Sequence, residues 1–543
     1  MKEELIELTK SMVKVPSVNG TSGEHDIGVF IENYLRDIPY FKKHSDQVII
    51  QSLKDDPLNR RSVFALLKGE KDDNKKTIIF HGHTDTVGVE DYGDLAEYAF
   101  DCDKLMERLS KIQLPDDVRW DLESGEYIFG RGACDMKSGD AVFMVLIKHI
   151  AEHIEDFSGN ILLSCNPVEE NLHTGIIEGI DTLIDLKNKH DLEYVLAINN
   201  DYTCPMYQGD KHQYIYTGVV GKLLPCFYVR GRETHVGQCF EGFDPTTVVA
   251  GLVKKINLNP EFSDGYKGEY SLPPTVLKMK DLKPWYNVQT AKEAFVYFNY
   301  FVHNKGMEDI VAGLMDSARS AVKDSLYEYN SNYQKYCSLS GKDYTAIDYP
   351  CHVMTFEELR KLADKNNKTG EDIDELLTKI TKEQEDKGVD KREIPIELIR
   401  TLLSKAGIYE SVVVMYFAAP YCPHNTLQDA DEELIQRLGK ITKEIEQEEN
   451  VEYNIHRFFP SLSDSSYLAI DDSESSIEHL KQNFPQMDSL YPLPIDKIRS
   501  LGIKAVNFGV HGKDAHKWTE RLYVPYSFDI LPKLIQKALK EFL

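Results

Sequence analysis

The chain has 543 residues, 42% of them hydrophobic and 28% charged, and a net charge of −26. That length exceeds a single hydrophobic core, so two or three domains are expected, and the composition is that of a soluble globular protein. The acidic balance argues against nucleic acid or an anionic membrane as partner, because both require clustered Lys and Arg. No apolar run reaches the roughly 18 residues of a spanning helix. The opening MKEELIELTKSMVKVPS has amphipathic helical spacing, not the apolar stretch of a signal peptide. Nine cysteines, an odd number without a CxxC pair, suit reduced thiols in a cytoplasmic protein.

In chain order, LIELTKSMVKV and IGVFIENYLRDI carry apolar residues at helical spacing, separated by the turn-forming NGTSGEHD. SVFALLKG and KTIIFHGH are short apolar, β-branched runs and read as strands. DAVFMVLIKHIAEHI reads as a strongly apolar helix, NILLSCNPVEE as a strand ending in two carboxylates, and YVLAINND as a strand ending in an acid. Strands and helices alternating in this way predict an α/β sheet covered on both faces.

From about Tyr214 the pattern changes. YTGVVGKLLPCFYVRG reads as a half-exposed strand, DPTTVVAGLVKKI as a helix, AFVYFNYF as an alternating strand and GMEDIVAGLMDSARSAVKDSLYEY as a long amphipathic helix, the order of a small α+β domain. Glu357 to Ile399 has charge at helical spacing and reads as a pair of solvated helices. VVVMYFAAPYCP and IKAVNFGV read as late core strands, the second belonging to the first sheet. The expected organisation is an α/β domain in two parts, 1–213 and 411–543, interrupted by an α+β domain at 214–410 that contains a helical insertion at about 306–408.

In open α/β sheets, ligands bind beyond the carboxyl ends of the strands. Metal-capable residues follow several of these ends: His83 and Asp85 in FHGHTDTV, Asp135 in GRGACDMKSGD, Glu169 with Glu170, Asp201, and His516 in HGKDAHKWTE. Residues at every second position of a strand share a face, so His81, His83 and Asp85 would converge if the strand ran that far. Buried carboxylates without cations repel and are costly to desolvate. Two divalent ions would neutralise the set, and His, Asp and Glu without clustered Cys suit zinc in an open site, with cobalt or manganese as alternatives. Paired ions need a bridging carboxylate. Asp135, flanked by Gly130, Gly132 and Gly139, is the bridging candidate.

FHGHTDTV, GRGACDMKSGD, NPVEEN and AHKWTE together resemble the M20 family of metallopeptidases and amidohydrolases, in the family's order. GRETHVGQCFEGFDP resembles its lid motif. The run from NNDYTC to HVGQ resembles the RocB-type, arginine-utilisation branch. The resemblance implies a zinc-exopeptidase-like catalytic domain, a mixed sheet covered by helices, with an inserted lid. It makes His83 a metal ligand, Asp85 the group that orients it, Asp135 the bridge, and Glu170 and His516 the remaining ligands of the second ion. Glu169 becomes the general base and His235 an oxyanion donor from the lid, while His81 becomes structural.

The sequence departs from the family pattern at two points. Asn199 stands where the family's remaining acidic ligand is expected, and Asp201, two residues on, is the better anionic candidate. Asn287 matches the family's Asn, but AFVYFNYF lacks the Arg with which lids grip a substrate carboxylate. The implied activity is hydrolysis of a C–N amide bond in a small molecule or short peptide, a peptide or an N-acyl amino acid. The alternatives are a deacylase or amidinohydrolase step on an arginine-pathway metabolite, or a catalytically idle metal-binding scaffold. A homodimer through the lid and a monomer both remain open.

Overall fold

The computed structural model describes residues 1–367, 370–459 and 463–543. Two compact units form: Met1–Val220 with Pro423–Asp471 and Pro494–Leu543, and Gly221–Cys422 with Asp472–Leu493.

The first unit is built on a mixed sheet in the order Val48–Ser52, Arg61–Lys68, Asn160–Asn166, Lys76–His83, Glu193–Asn199, Ala505–Asn507, Gln213–Tyr216, Tyr453–His456. Its central strands are apolar and buried along nearly their whole length, as a sheet covered on both faces requires. Val63, Ala65, Ile78, Phe80, Ile161 and Leu163 join one core with helices Lys2–Val13, Gly23–Asp37, Lys137–Ala151 and Leu531–Phe542. Phe80 stacks on Phe143 at 4.4 Å between ring centroids. Phe64 alternates to the opposite face. There Gly179 of helix Thr174–His190 leaves room for it, since a Cβ at that position would lie 3.2 Å from Phe64 Cζ.

Strands Asn160–Asn166, Lys76–His83, Glu193–Asn199 and Ala505–Asn507 run parallel, with His83 beside Asn166, His81 beside Asn199 and Asn507 beside Asn199. Their carboxyl ends therefore lie along one edge of the sheet, and the chain leaves each of them into a loop carrying polar residues.

The second unit has a sheet in the order Thr275–Asp281, Glu293–Val302, Pro225–Arg230, Ser411–Phe417, Cys351–Thr355. Here the structure corrects the expected boundaries. VVVMYF, expected to open the second part of the α/β domain, instead pairs antiparallel with Pro225–Arg230, and Asp472–Leu493 also returns to this unit. An all-apolar strand can fill either core, and only its long-range pairing decides which. The YTGVVGKLLPCFYVRG stretch is buried from Tyr216 to Val229 and broken into short strands instead of forming a single half-exposed one.

The charged segment is likewise not a solvated pair. It forms three helices, Phe356–Asn366, Ile373–Asp386 and Ile394–Ala406, with 368–369 outside the described residues. Their apolar stripes, including Leu359, Leu377, Leu398 and Leu402, pack with Cys226, Tyr228, Val412 and Val414 of the sheet. Among the described residues, no helix is long and apolar enough to cross a membrane.

Candidate active site

The strand Lys76–His83 ends at His83, short of Asp85, so the three alternating polar groups separate. His81 is fully buried with Nε2 2.8 Å from Ser465 Oγ, and burial, followed by the charge of His83, pushes its pKa down to about 3. It is a neutral core imidazole. His83 places Nε2 3.0 Å from Asp135 Oδ1 and Nδ1 3.1 Å from the Asp85 carbonyl oxygen. Its Nδ1 is also 3.7 Å from Asp85 Oδ1. The Asp85 carboxylate turns to the next loop and accepts the Glu169 and Glu170 backbone N–H groups at 3.0 and 3.1 Å, and the Asn19 amide at 3.0 Å. Asp85 thus holds both the imidazole and the two-glutamate turn.

That turn is closed by the His173 N–H donating to the Val168 carbonyl at 2.8 Å. From it Glu170 Oε1 lies 2.9 Å from His516 Nε2, and the same nitrogen is 3.1 Å from Asp135 Oδ2. Asp135 therefore directs one oxygen at His83 and the other at His516. Ligand-type atoms come within 4.8 Å of one another in three groups around this centre: His83 with Asp135 and Asp201, His83 with Glu169 and Glu170, and Asp135 with Glu170 and His516. Asp201 lies two residues past the strand Glu193–Asn199, and its Oδ1 accepts the Tyr202 N–H at 2.8 Å. Asn199 takes a separate course, donating its amide to Ser463 Oγ.

The electrostatics test whether this pocket suits cations. Asp85, Asp135, Glu169 and Asp201 are buried and Glu170 is nearly so, with His83 and His516 as the facing imidazoles. Burial, first of all, pushes Glu169 and Asp201 well above the usual carboxylate range and raises Glu170. Asp135 moves the opposite way, because hydrogen bonds from His516 and His83 outweigh its burial. Those carboxylates in turn hold the His516 imidazolium up to about 11 against burial, and raise His83. The pocket thus concentrates more acid than its imidazoles balance. Such a donor set of imidazoles and carboxylates, with one carboxylate shared, fits two divalent cations.

Two flanking devices carry no ligand. Arg131 is fully buried and pairs with Glu520 at 2.8 Å and Asp91 at 2.9 Å, while Glu520 Oε1 accepts the Cys134 and Asp135 N–H groups at 3.2 and 3.4 Å. Arg521, 1% exposed, donates to Asp514, to Asp121 at 2.6 Å, to Asp117 at 3.1 Å and to the Thr519 carbonyl at 3.1 Å. It braces the turn in which Asp514 and His516 both have positive φ, 57° and 64°.

All the metal-capable residues singled out in sequence, His83, Asp135, Glu170, Asp201 and His516, lie at this centre with Asp85 and Glu169. His235 belongs to the other unit. It is exposed, and its Nδ1 accepts the Gly237 N–H at 3.0 Å. The loop that carries it is fastened by aromatic residues of the insertion. Phe240 packs against Tyr329, Tyr333 and Tyr336, the Tyr329 hydroxyl donates to the Cys239 carbonyl at 3.3 Å, and Tyr349 donates to that of Phe240 at 3.3 Å. Sequence reasoning missed Glu520, Arg131, His173 and Asp464. The first two sit inside the recognised motifs, and His173 follows Glu169 by four residues, across a non-helical turn and just before the helix Thr174–His190. Asp464, 291 positions beyond His173, has no local signal.

The profile of "Peptidase family M20/M25/M40" matches residues 79–540. The chain is 37% identical to Protein RocB of Bacillus subtilis over 99% of its own length and 94% of that protein. It is 31% identical to the uncharacterized protein YqjN of the same organism over 100% and 97% of the two chains. A succinyl-diaminopimelate desuccinylase of Sulfurimonas denitrificans is 27% identical over 45% of this chain and 54% of that enzyme. In fold, the chain resembles the di-peptidase Dug1p of Saccharomyces cerevisiae (TM-score 0.54, 11% identity, 100% and 96% covered). It also resembles a tripeptidase of Staphylococcus aureus (TM-score 0.53, 13% identity, 99% and 98% covered). With the family profile spanning most of the sequence, the chain belongs to the peptidase family M20/M25/M40 and is a metal-dependent hydrolase of that family.

Proposed function

We propose that the protein hydrolyses the C–N amide bond of a short peptide or N-acyl amino acid with two divalent ions, zinc in the first place. The observation that carries this reading is Asp135, with one carboxylate oxygen 3.0 Å from His83 Nε2 and the other 3.1 Å from His516 Nε2. His83, Asp135 and Asp201 would hold one ion, and Asp135, Glu170 and His516 the other. When bound, such a pair supplies Lewis acidity for a water and a carbonyl group.

The remaining chemistry belongs to the chain's own side chains. Glu169 accepts a proton from the attacking water and delivers it to the leaving nitrogen as the C–N bond breaks. Its burial, which lifts its pKa, suits a group that must take and return a proton. Asp85 fixes the His83 ring and the Glu169–Glu170 turn together. His235 is proposed to donate to the carbonyl oxygen as negative charge develops.

The strand Glu293–Val302 carries no Arg, so the carboxylate of such a substrate would have to be bound by other groups. Within the amide class, similarity to a desuccinylase supports an N-acyl amino acid, and a role in arginine or other amino-acid catabolism is the part of this proposal that rests on the sequence motifs of the RocB-type branch. None of the nine cysteines forms a disulfide, and three of them are exposed or half-buried, which suits a reducing cytoplasm. The test is Glu169→Ala against a peptide and N-acyl amino acid panel, with metal analysis. The variant is expected to keep the two ions of the centre and lose ~10²–10⁴-fold in turnover. Wild-type rates in that variant would remove Glu169 from the mechanism.

A further inference from the structure

Behind the proposed base lies a second set of ligand atoms that the reading above does not use. Glu169, His173 and Asp464 are all buried, and their ligand-type atoms come within 4.8 Å of one another. His173 Nδ1 is 3.0 Å from Asp464 Oδ1 and 3.9 Å from Glu169 Oε1. A cation with nitrogen and oxygen donors at about 2.0–2.2 Å in tetrahedral array separates those donors by roughly 3.4 Å. The two observed spacings bracket that value.

The hydrogen-bond inventory adds an independent indication. One ring nitrogen carries at most one proton, so Nδ1 can donate to only one of the two carboxylates that face it. Asp464 is 3% exposed, and its second oxygen, Oδ2, has no hydrogen-bond partner among the described residues. A buried carboxylate oxygen without a donor is costly. A divalent ion accepting lone pairs from Glu169, from His173 and from both oxygens of Asp464 relieves both conditions at once. The mounting is rigid as well: His173 sits at the foot of helix Thr174–His190, and Asp464 opens the short helical turn Asp464–Leu468.

We propose that Glu169, His173 and Asp464 form a further divalent-cation site, beside the two-ion centre and separate from its ligands. Filling it engages the carboxylate of Glu169, so that excess metal silences the base. The site itself follows from these three residues, whereas the inhibitory consequence rests on Glu169 being the base.

The test is a titration of metal-free wild type, Asp464→Asn and His173→Asn with Zn²⁺ alone and, separately, with Co²⁺ alone. Asn at 173 tolerates the left-handed backbone there (φ 54°), so the second variant guards against loss of fold in the first. Metal retained at saturation is counted by elemental analysis, and the cobalt site is followed by its visible absorption. The expected result is one more equivalent in wild type than in either variant, with the affinity of that equivalent weakened by about 10²-fold or more. Equal stoichiometry in wild type and both folded variants would overturn the proposal and leave His173 as a hydrogen-bonded imidazole. Fewer than two equivalents in the variants would instead overturn the two-ion reading, while a difference of one would still sustain the additional site.

Discussion

Arg521→Ala tests whether the turn that presents His516 is held by a buried ionic clamp. Arg521 is 1% exposed and reaches Asp117, Asp121 and Asp514 as well as the Thr519 carbonyl. Removing one partner of a buried ion pair costs ~3–5 kcal/mol, because charge is left without compensation. Here the orphaned carboxylates keep other cations: Asp121 retains Lys513 at 2.8 Å and Asp514 retains Lys517 at 3.1 Å. They are also 13% and 23% exposed, so water screens them in part. The expected loss is therefore at the low end, about 3 kcal/mol.

A second effect follows from the backbone. Asp514 and His516 both occupy left-handed conformations, each costing ~1–3 kcal/mol unless the surroundings enforce it. Without the guanidinium the turn is free to relax, and zinc affinity is expected to fall ~10–100-fold. Arg521→Lys should recover only part of either loss, since a point ammonium cannot replace the planar fork across three carboxylates. The assays are urea denaturation of the metal-free protein followed by circular dichroism, and zinc competition against a chromogenic chelator. A destabilisation below about 1 kcal/mol together with unchanged zinc affinity would refute the clamp.

Asp201→Asn is expected to lower metal stoichiometry or affinity while Asn199→Ala leaves both nearly unchanged; the reverse order in metal analysis after dialysis would move the ligand to Asn199. His235→Ala should keep its metal and lower kcat by ~10²–10³-fold with a smaller change in KM, and loss of metal or an effect confined to KM would take His235 out of the reaction. Phe240→Ala should speed amide hydrogen exchange across residues 235–242, because the loop loses the ring that Tyr329, Tyr333 and Tyr336 grip; unchanged exchange there would show the loop to be self-supporting. In the second unit, burial alone would raise the Glu293 pKa, but hydrogen bonds from Arg400 and Tyr228 outweigh it and lower it below 4.5. Its contribution is thus present above the unfolded value and lost as pH falls through the folded one. Glu293→Gln should be destabilised by ~1.5–3 kcal/mol at pH 7 with the deficit shrinking in acid, and a pH-independent deficit would refute the assignment.

Local pattern was enough for the features that depend on neighbouring residues. Apolar runs such as KTIIF and NILLSC announce strands buried on both faces, and parallel pairing of such strands brings their carboxyl ends to one edge. Residues at or just after those ends, His83, Glu169, Glu170 and Asp201, together with Asp135 in its glycine-rich turn, were therefore legible as a site from sequence alone. What pattern cannot carry is the partner of an element that satisfies two environments equally well. The Ser411–Phe417 strand could fill either core, and its pairing with Pro225–Arg230 assigned it to the second unit. The charged stretch from Glu357 looked solvated because its polar faces outnumber its apolar stripes, yet those stripes found a sheet to cover. Asn199 and Asp201 were equivalent in an extended chain until the strand ended at Asn199 and turned their side chains to different partners. His173 and Asp464 show the limit most clearly. Their contact joins residues 291 positions apart, and only the folded chain brings that imidazole and that carboxylate within 3.0 Å.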